Sequence, residues 1–340
     1  MPSVRPDSMT PPLRILLSSS VGQELAPAIA ELLGQGAFQL VTAAEAAGVA
    51  KPGVDIAFIS RDVTGLSTKH VLTPGLEAFY AALRRSDRLQ WVQMHSAGAD
   101  RPIYAELRAR GVVVTSSSGA NAEVVAQTAI AGLLALARRF PQLMAAQQAR
   151  VWAPLIGAEP PRDLAGQTAL LVGWGPIGQR IGAFLRLLGL RLIVVRQSGA
   201  PIPGDGVEVV SFASLPKALP CADWLLLACP LTEQTRRLID GRALACLPRG
   251  AFLINVARGE VVVEADLVEA MRTGHLGGAF LDVFEHEPLP ADSQLWSLAN
   301  VMVTPHSAGH SDGNHRRVCD IFLANLARLQ ARQPLLNSIA

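Results

Sequence analysis

Short apolar runs alternate with amphipathic stretches along the first third of the chain. The runs LRILLSS (13–19), DIAFIS (55–60) and LQWVQMHS (89–96) predict buried strands, because each is short, apolar and ends in small or polar residues. Apolar positions with helical spacing in 23–36 and 75–86 predict two helices. This alternation predicts an α/β unit built on a parallel sheet.

The alternation becomes more regular after residue 167 and predicts a second, doubly wound parallel sheet. Its seven predicted strands are TALLVG (168–173), RLIVV (191–195), VEVV (207–210), DWLLLA (223–228), AFLINVA (251–257), GGAFLDVF (277–284) and NVMVTPH (300–306). We expect the amphipathic helix that follows, 314–332, to cross back and complete the first unit. The predicted domains are therefore 1–118 together with 307–340, and 119–306. Between the two sheets, the Ala-rich stretch 120–140 predicts a long helix, buried between domains or subunits.

Composition and charge narrow the class of protein. The chain has 340 residues, half of them apolar, which suffices for two domains with cores of their own. A formal charge of +2 gives no strong attraction to nucleic acid or anionic lipid. No apolar run reaches membrane-spanning length, and MPSVRPDSMTPPLR (1–14) lacks a signal-peptide core and predicts a disordered lead-in. We therefore expect neither a nucleic-acid nor a membrane partner.

The cysteines show no paired spacing that would indicate a disulfide framework or a metal site. There are four of them, Cys221, Cys229, Cys246 and Cys319. Isolated cysteines of this kind are typical of reduced thiols in a cytoplasmic protein. We expect a cytoplasmic location and no bound metal.

Three glycines stand close together in LVGWGPIGQRIG (171–182), between a predicted strand and a predicted helix. Gly173 permits a tight turn, Gly175 lets a phosphate approach the backbone, and Gly178 lets the helix lie close to the strand. Amide groups at the helix start favour negative charge. The pattern predicts dinucleotide binding; the alternative is a glycine-rich turn without a ligand.

The residue after the next strand bears on which dinucleotide is bound. An acidic residue at this place usually holds the ribose 2′-hydroxyl of NAD, but RLIVVRQSG (191–199) has Arg196 there. A guanidinium attracts the 2′-phosphate of NADP, and Ser198 could add a hydroxyl donor. We expect NADP to be preferred, with NAD as the alternative if Arg196 is a solvated surface residue.

Charged or titratable residues follow three predicted strands of the second block. They are Arg258 in INVARGE, Glu287 in DVFEHEPLP and His306 in TPHSAG. The carboxyl ends of strands are where an open α/β sheet binds its ligands.

An ordered set of motifs between about residues 90 and 330 resembles the D-isomer-specific 2-hydroxyacid dehydrogenase family. The motifs are HSAGAD (95–100), the glycine pattern, CPLTEQT (229–235), INVARGE (254–260), DVFEHEPLP (282–290) and TPHSAG (304–309). The resemblance implies a Rossmann cofactor domain and a flavodoxin-like substrate domain that the C-terminal helix completes. It also implies a homodimer, expected through the 120–140 helix.

The resemblance implies roles for the three strand-end residues. His306 would protonate the carbonyl oxygen during reduction and act as the base in the other direction. Glu287, directly before Pro288, would bond the other ring nitrogen and orient the ring, while Glu285 is expected to be a solvated charge. Arg258 would bind the substrate carboxylate and polarise the carbonyl.

Further residues are assigned to the ligands by the same resemblance. The backbone amides of Ala97 and Gly98 would bind the substrate together with Arg258 and His306. The predicted cofactor-binding residues are Gly173, Gly175, Pro176, Ile177, Gly178, Arg196, Ser198, Cys229, Pro230, Thr235, Val256, Ala257, Asp282 and Gly309.

Three residues keep two interpretations each. Asp282 either lies near the nicotinamide or caps a turn. Trp296 either lines the substrate pocket or a dimer contact, or belongs to the core. Arg61 either points into a cleft or is a solvated surface charge.

The sequence thus predicts an NADPH-dependent reductase of a small 2-keto acid such as glyoxylate or hydroxypyruvate. One alternative is a dinucleotide-sensing binding protein, like the transcriptional corepressors of this family. Another is a family member that acts on formate or phosphite.

Overall fold

The structure, a computed structural model, describes residues 11–68, 71–157, 160–202 and 206–339. Within these residues the chain forms two compact units. The first comprises the described residues of Met1–Ala120 and Asp312–Ala340, and the second those of Asn121–Ser311. The predicted disordered lead-in lies, up to residue 10, outside the described residues.

The first unit is built on a parallel sheet. In the described residues its strands are Leu13–Leu16 (β1), Phe38–Val41 (β2), Ile56–Ile59 (β3), Trp91–Met94 (β4) and Val113–Thr115 (β5). Its helices up to this point are Ser19–Leu33 (α1), Ala43–Ala46 (α2), Arg61–Thr64 (α3), Pro74–Arg85 (α4) and Pro102–Ala109 (α5). The strand order is β2-β1-β3-β4-β5 with parallel pairs throughout, which is the flavodoxin-like order.

The second unit carries a larger parallel sheet. Its strands are Thr168–Val172 (β6), Arg191–Val195 (β7), Glu208–Val210 (β8), Trp224–Leu227 (β9), Ala251–Asn255 (β10), Leu276–Leu281 (β11) and Val301–Val303 (β12). Its helices are Ala122–Ala137 (α6), Phe140–Gln148 (α7), Pro176–Leu187 (α8), Leu215–Ala218 (α9), Gly241–Cys246 (α10) and Glu264–Arg272 (α11). The strand order β12-β11-β10-β9-β6-β7-β8 reverses between β6 and β9, as in a Rossmann sheet.

The C-terminal helix, Asn314–Gln330 (α12), completes the first unit, as the sequence predicted. Its Phe322 is fully buried and stacks on Phe58 at 4.8 Å and on Trp91 at 5.3 Å between ring centroids. The buried side chain of Asn325 donates to Gln93 Oε1 at 3.0 Å and accepts from the Leu336 amide at 2.7 Å. Apolar burial and these polar bonds together tie the returning chain to the first sheet.

The predicted boundary at residue 306 differs from the structure, which keeps residues 307–311 in the second unit. The reason is the buried carboxylate of Asp282, which accepts hydrogen bonds from the amides of Ser307 and Ala308. These bonds attach the segment after β12 to the end of β11.

Helix α6 has largely buried apolar positions and packs against α8, β10 and β11 of its own unit. Its place between domains or subunits stays a prediction. Gly132 permits the closest approach, because a Cβ at this position would meet the ring of Phe280. Five of the exposed apolar side chains of the described residues follow the helix: Phe140, Met144, Val151, Trp152 and Ile156. None of the described helices has the length and apolar character needed to span a bilayer.

Candidate active site

The glycine pattern forms the turn from β6 into α8. The structure shows at each of the three positions what the absence of a side chain permits. Gly173 has φ +105°, and a Cβ there would meet Ala228 O at 2.7 Å and Cys229 N at 2.8 Å. A Cβ on Gly178 would collide with the carbonyl oxygen of Gly173. At Gly175, the N-cap of α8, a Cβ would point into open space. This turn fits a dinucleotide, because a pyrophosphate can approach the helix start where a side chain would obstruct it.

The neighbouring residues predicted to bind the cofactor surround this turn. Pro176 and Ile177 form the first turn of α8. Arg196 follows β7, is half-buried, and donates its backbone N–H to Val210 O at 3.0 Å. Ser198 is exposed in the following turn, and its hydroxyl accepts the Ala200 amide at 3.3 Å.

The loop after β9 is held by internal hydrogen bonds. The buried Thr235 hydroxyl donates to Pro230 O at 2.7 Å and accepts the Thr232 amide at 2.8 Å. Cys229 is buried, and burial raises the pKa of its thiol to about 12. The thiol therefore stays protonated at neutral pH, which excludes it as a nucleophile.

His306 and Glu287 form a hydrogen-bonded pair. His306 Nδ1 lies 2.8 Å from Glu287 Oε2, while Glu287 Oε1 accepts the Phe284 amide at 3.1 Å. The histidine side chain is 46% exposed and that of the glutamate 17%. Because a carboxylate only accepts, the bonded Nδ1 carries the ring proton, and Nε2 is left for exchange with another group.

Asp282 holds the loop that presents His306. Its buried carboxylate accepts hydrogen bonds from Thr304 Oγ1 at 2.7 Å, the Ser307 amide at 2.8 Å and the Ala308 amide at 3.1 Å. Burial raises the pKa of Asp282, and these hydrogen bonds act in the opposite direction. The His306 backbone has φ +52° and donates to Asp282 O at 2.8 Å. Of the two interpretations of Asp282, this arrangement favours the turn cap, with the histidine as the residue that it positions.

Arg258 follows β10, in a short loop that is held by hydrogen bonds among its own residues. Its Nη1 donates to Ala257 O at 2.7 Å. The buried side chain of Asn255 accepts the Ala257 amide at 3.0 Å and donates to Arg258 O at 3.1 Å. Val256 and Ala257 are buried in this loop. The guanidinium is thus placed at the same sheet edge as His306, because both loops follow parallel strands.

Residues 130–308, more than half of the chain, match the family model described as D-isomer specific 2-hydroxyacid dehydrogenase, NAD binding domain. This chain belongs to the D-isomer-specific 2-hydroxyacid dehydrogenase family. It is 35% identical over 251 residues to a (S)-sulfolactate dehydrogenase of Chromohalobacter salexigens, covering 72% of this chain and 79% of the relative. It is 32% identical to a glyoxylate reductase of Korarchaeum cryptofilum, covering 74% of each chain.

The fold of this chain matches that of a solved structure over nearly the whole length of both chains. That structure is of an NADPH-dependent glyoxylate/hydroxypyruvate reductase of Sinorhizobium meliloti in complex with NADP and sulfate. The two chains align with a TM-score of 0.74 and 26% identity, over 96% of this chain and 98% of the other. The predicted family, fold class and enzyme class of the dehydrogenase are therefore confirmed.

Two positioning residues of this dehydrogenase were missed from the sequence. A Cβ on Gly259 would overlap the backbone of Phe284 and Glu285, so this glycine lets the arginine loop lie against the glutamate segment. The other is Asn255, at the buried end of β10. A polar residue that ends an otherwise apolar strand was the available signal, since a buried amide needs hydrogen-bond partners.

Glu285 is not the solvated charge that the sequence predicted. Its carboxylate accepts the Glu264 amide at the start of α11 at 3.2 Å, and its own amide donates to Glu264 at 3.3 Å. Burial raises the pKa of Glu264 in this pair. Glu285 therefore caps a helix, which leaves Glu287 as the partner of the histidine.

Two other predicted residues have local partners. Trp296 is 54% exposed and donates from Nε1 to Pro290 O at 2.9 Å, so it is not a core residue. Gly309 lies against Asn121, because a Cβ there would collide with the side-chain amide of that residue.

The first unit carries the predicted substrate loop after β4. Ala97 and Gly98 lie in it, and the Ser96 hydroxyl donates to Gly98 O at 2.9 Å. His95 begins the loop; its amide donates to Ile59 O at 3.0 Å. Burial, followed by the charge of Arg61, lowers the pKa of His95 to about 4, so the ring is neutral at neutral pH.

Proposed function

We propose that this dehydrogenase is an NADP(H)-preferring reductase that converts a small 2-keto acid into the D-2-hydroxy acid, with His306 as the acid/base. The observation that carries the proposal is the 2.8 Å pair of His306 and Glu287, at the sheet edge that also presents Arg258. The relatives named glyoxylate reductase support glyoxylate or hydroxypyruvate as the type of substrate.

The proposed roles follow from the chemistry of the side chains. When bound, the nicotinamide supplies the hydride that reduces the keto carbon. His306 donates a proton from Nε2 to the oxygen that becomes the hydroxyl, and Glu287 stabilises the ring while it is charged. Arg258 binds the substrate carboxylate and stabilises negative charge on the carbonyl oxygen. In the oxidative direction His306 accepts the proton.

The preference for NADP rests on Arg196. Within the described part of the chain, its guanidinium has no hydrogen-bond or ion-pair partner, so it is available to a 2′-phosphate. The NADP complex of the Sinorhizobium meliloti relative supports this choice.

We expect the Arg196→Glu variant to lose the preference for NADPH. The carboxylate repels the 2′-phosphate and accepts the ribose 2′-hydroxyl, so the NADPH/NADH ratio of kcat/KM should fall by about 100-fold or more. Steady-state kinetics with both cofactors measures this ratio. Arg191→Gln, at the exposed start of the same strand, also removes a positive charge but affects only the surface ion pair with Glu208, so it is the control and should leave the ratio unchanged. Equal ratios in the wild type and in Arg196→Glu would remove Arg196 from the cofactor site.

A pair of arginines in the first unit favours keto acids that carry a second anionic group. Arg61 is an exposed residue at the start of α3, and partial desolvation of its guanidinium, followed by the charge of Arg101, lowers its pKa. Arg101 donates from Nη2 to Ser67 O at 2.8 Å, and among the described residues its buried Nη1 has no hydrogen-bond acceptor. Two neighbouring guanidinium groups without a carboxylate partner among the described residues support a binding site for an anion. They follow β3 and β4, next to the loop of Ala97 and Gly98.

The substrate is tested by a panel of keto acids. We expect turnover of monoanionic glyoxylate and hydroxypyruvate, and a lower KM for dianionic 3-sulfopyruvate and oxaloacetate. Arg61→Met should raise the KM of the dianions by roughly 10-fold or more, because a charged hydrogen bond is lost, and change that of the monoanions by less than about 2-fold. No turnover of any member would contradict the proposed reaction. Turnover with no effect of Arg61→Met on the dianions would contradict only the second anion site.

We also propose a homodimer and a cytoplasmic location. The exposed apolar side chains between Phe140 and Ile156 support a subunit contact, since an exposed apolar patch marks an interaction surface. All four cysteines are free, which supports a reducing compartment.

A further inference from the structure

A cluster of metal-ligating side chains lies in the first unit, and none of its members is assigned above to the reaction. It consists of Glu24 on α1 and of His315 and Cys319 on α12. One ligand atom of each lies within 4.8 Å of the other two. His315 and Cys319 are four residues apart on one helix and therefore share a face.

The distances within the cluster are close to those of a zinc site. Cys319 Sγ lies 3.6 Å from His315 Nε2, and Glu24 Oε2 lies 2.7 Å from the same nitrogen. A tetrahedral ion with Zn–S of about 2.3 Å and Zn–N of about 2.0 Å separates sulfur from nitrogen by roughly 3.5 Å. The carboxylate needs to move outward by less than about 1 Å to reach a tetrahedral edge. Glu24 and His315 are exposed, which gives an ion and a fourth, water ligand access.

We propose that Glu24, His315 and Cys319 bind a divalent ion of the zinc type, which joins helix α1 to the returning helix α12. Thiolate, imidazole and carboxylate are ligands that zinc accepts together in proteins. The ion replaces the hydrogen bond between His315 and Glu24 and displaces the thiol proton of Cys319 to solvent.

The charges around the thiol suit a cation. The carboxylates of Glu24, Asp320 and Asp62 lie close enough to act electrostatically on the thiol of Cys319. The cluster is therefore a negatively charged environment. A divalent ion offsets this charge and stabilises the thiolate as a ligand.

The position of the cluster gives the ion a structural role. Helix α1 belongs to the beginning of the chain and α12 to its end, and the two ligands joined by a hydrogen bond are 291 residues apart. The ion would therefore link α12, which returns to the first unit at the end of the chain, to α1 at its beginning. Glu24 is so distant in sequence from His315 and Cys319 that no motif joins the three ligands, and the sequence predicted no metal site.

The test uses tag-free, full-length protein, stripped with a chelator and titrated with Co²⁺ or Zn²⁺. We expect one Co²⁺ per chain, with the visible bands of tetrahedral cobalt and a thiolate-to-cobalt charge-transfer band. Zn²⁺ at about 100 times its Kd should raise the unfolding midpoint by roughly 5 °C. Cys319→Ser should abolish the charge-transfer band, and His315→Asn and Glu24→Gln should each weaken Zn²⁺ binding by at least about 10-fold.

Matched controls separate this site from accidental thiol binding. Cys246→Ser and Cys221→Ser remove exposed cysteines of the second unit and should leave both spectrum and midpoint shift unchanged. His315→Asn alters an exposed side chain, so its circular dichroism spectrum should match that of the wild type. A charge-transfer band that persists in Cys319→Ser, binding of equal strength in all variants, or no stoichiometric binding by the wild type would each overturn the proposal.

Discussion

Replacing His306 by asparagine is expected to lower kcat by about 100- to 10,000-fold, the range for the loss of a general acid/base. Asparagine is the appropriate replacement because the backbone here has φ +52°, which asparagine adopts more readily than other residues. The loop held by Asp282 should then keep its conformation. Single-turnover and steady-state measurements of NADPH oxidation give the size of the loss.

Two further measurements separate the chemistry of His306 from a structural effect. NADPH binding, followed by fluorescence, should change by less than about 2-fold in His306→Asn, because the glycine turn lies on another strand. Glu287→Gln should lose less activity than His306→Asn, since the amide oxygen still accepts the Nδ1 proton but carries no charge. A variant His306→Asn that kept kcat within about 3-fold of the wild type would contradict the proposed role.

Replacing Arg258 by lysine is expected to lower kcat/KM by about 100- to 1,000-fold. Lysine keeps the positive charge but cannot bind a carboxylate through two parallel hydrogen bonds, and its shorter reach changes the contact to the carbonyl oxygen. The kcat/KM of Arg258→Met should fall further than that of Arg258→Lys, because the charge is lost as well. The comparison of KM and kcat for glyoxylate shows how much of the loss concerns substrate binding.

The loop around Arg258 offers its own control. The Asn255 side chain bonds the backbone on both sides of Ala257, so Asn255→Asp keeps the acceptor but loses the donor to Arg258 O. We expect Asn255→Asp to have a smaller kcat/KM loss than Arg258→Lys. If Arg258→Lys retained wild-type kcat/KM for every keto acid, the guanidinium would have no role in binding the substrate.

Several of the strands that the sequence predicted are buried on both faces, and the partly buried edge strands β8 and β12 were predicted as well. All residues of β3, β4, β6 and β9 are buried, and each was recognisable as a continuous apolar run. Strands β2 and β5 were missed. They lie at the two edges of the first sheet, are only partly buried and contain four and three residues. Such edge strands depend on pairing with a neighbour more than on their own pattern.

The sequence predicted which residue types form the candidate site. It predicted less well which hydrogen bonds the carboxylates of the site make. The motifs identified His306 and Glu287, whose hydrogen bond the structure contains. They did not distinguish the functions of the nearby carboxylates: Glu285 caps α11, and Asp282 holds the loop of His306. Each of these contacts joins segments from different strands, and neither spacing nor residue type along the chain specifies them.

The sequence alone determined the periodic features of this protein: the alternation of strands and helices, the glycine turn and the order of its motifs. These are local, because backbone conformation and the burial of apolar side chains are set within a few residues. Only the tertiary structure decided which polar groups meet. The hydrogen bond between Glu24 and His315, the close approach of Gly259 to Phe284 and the bonds of Asp282 all join distant parts of the chain. Hydrogen bonds and steric contacts act over a few ångströms in space, whatever the separation along the chain.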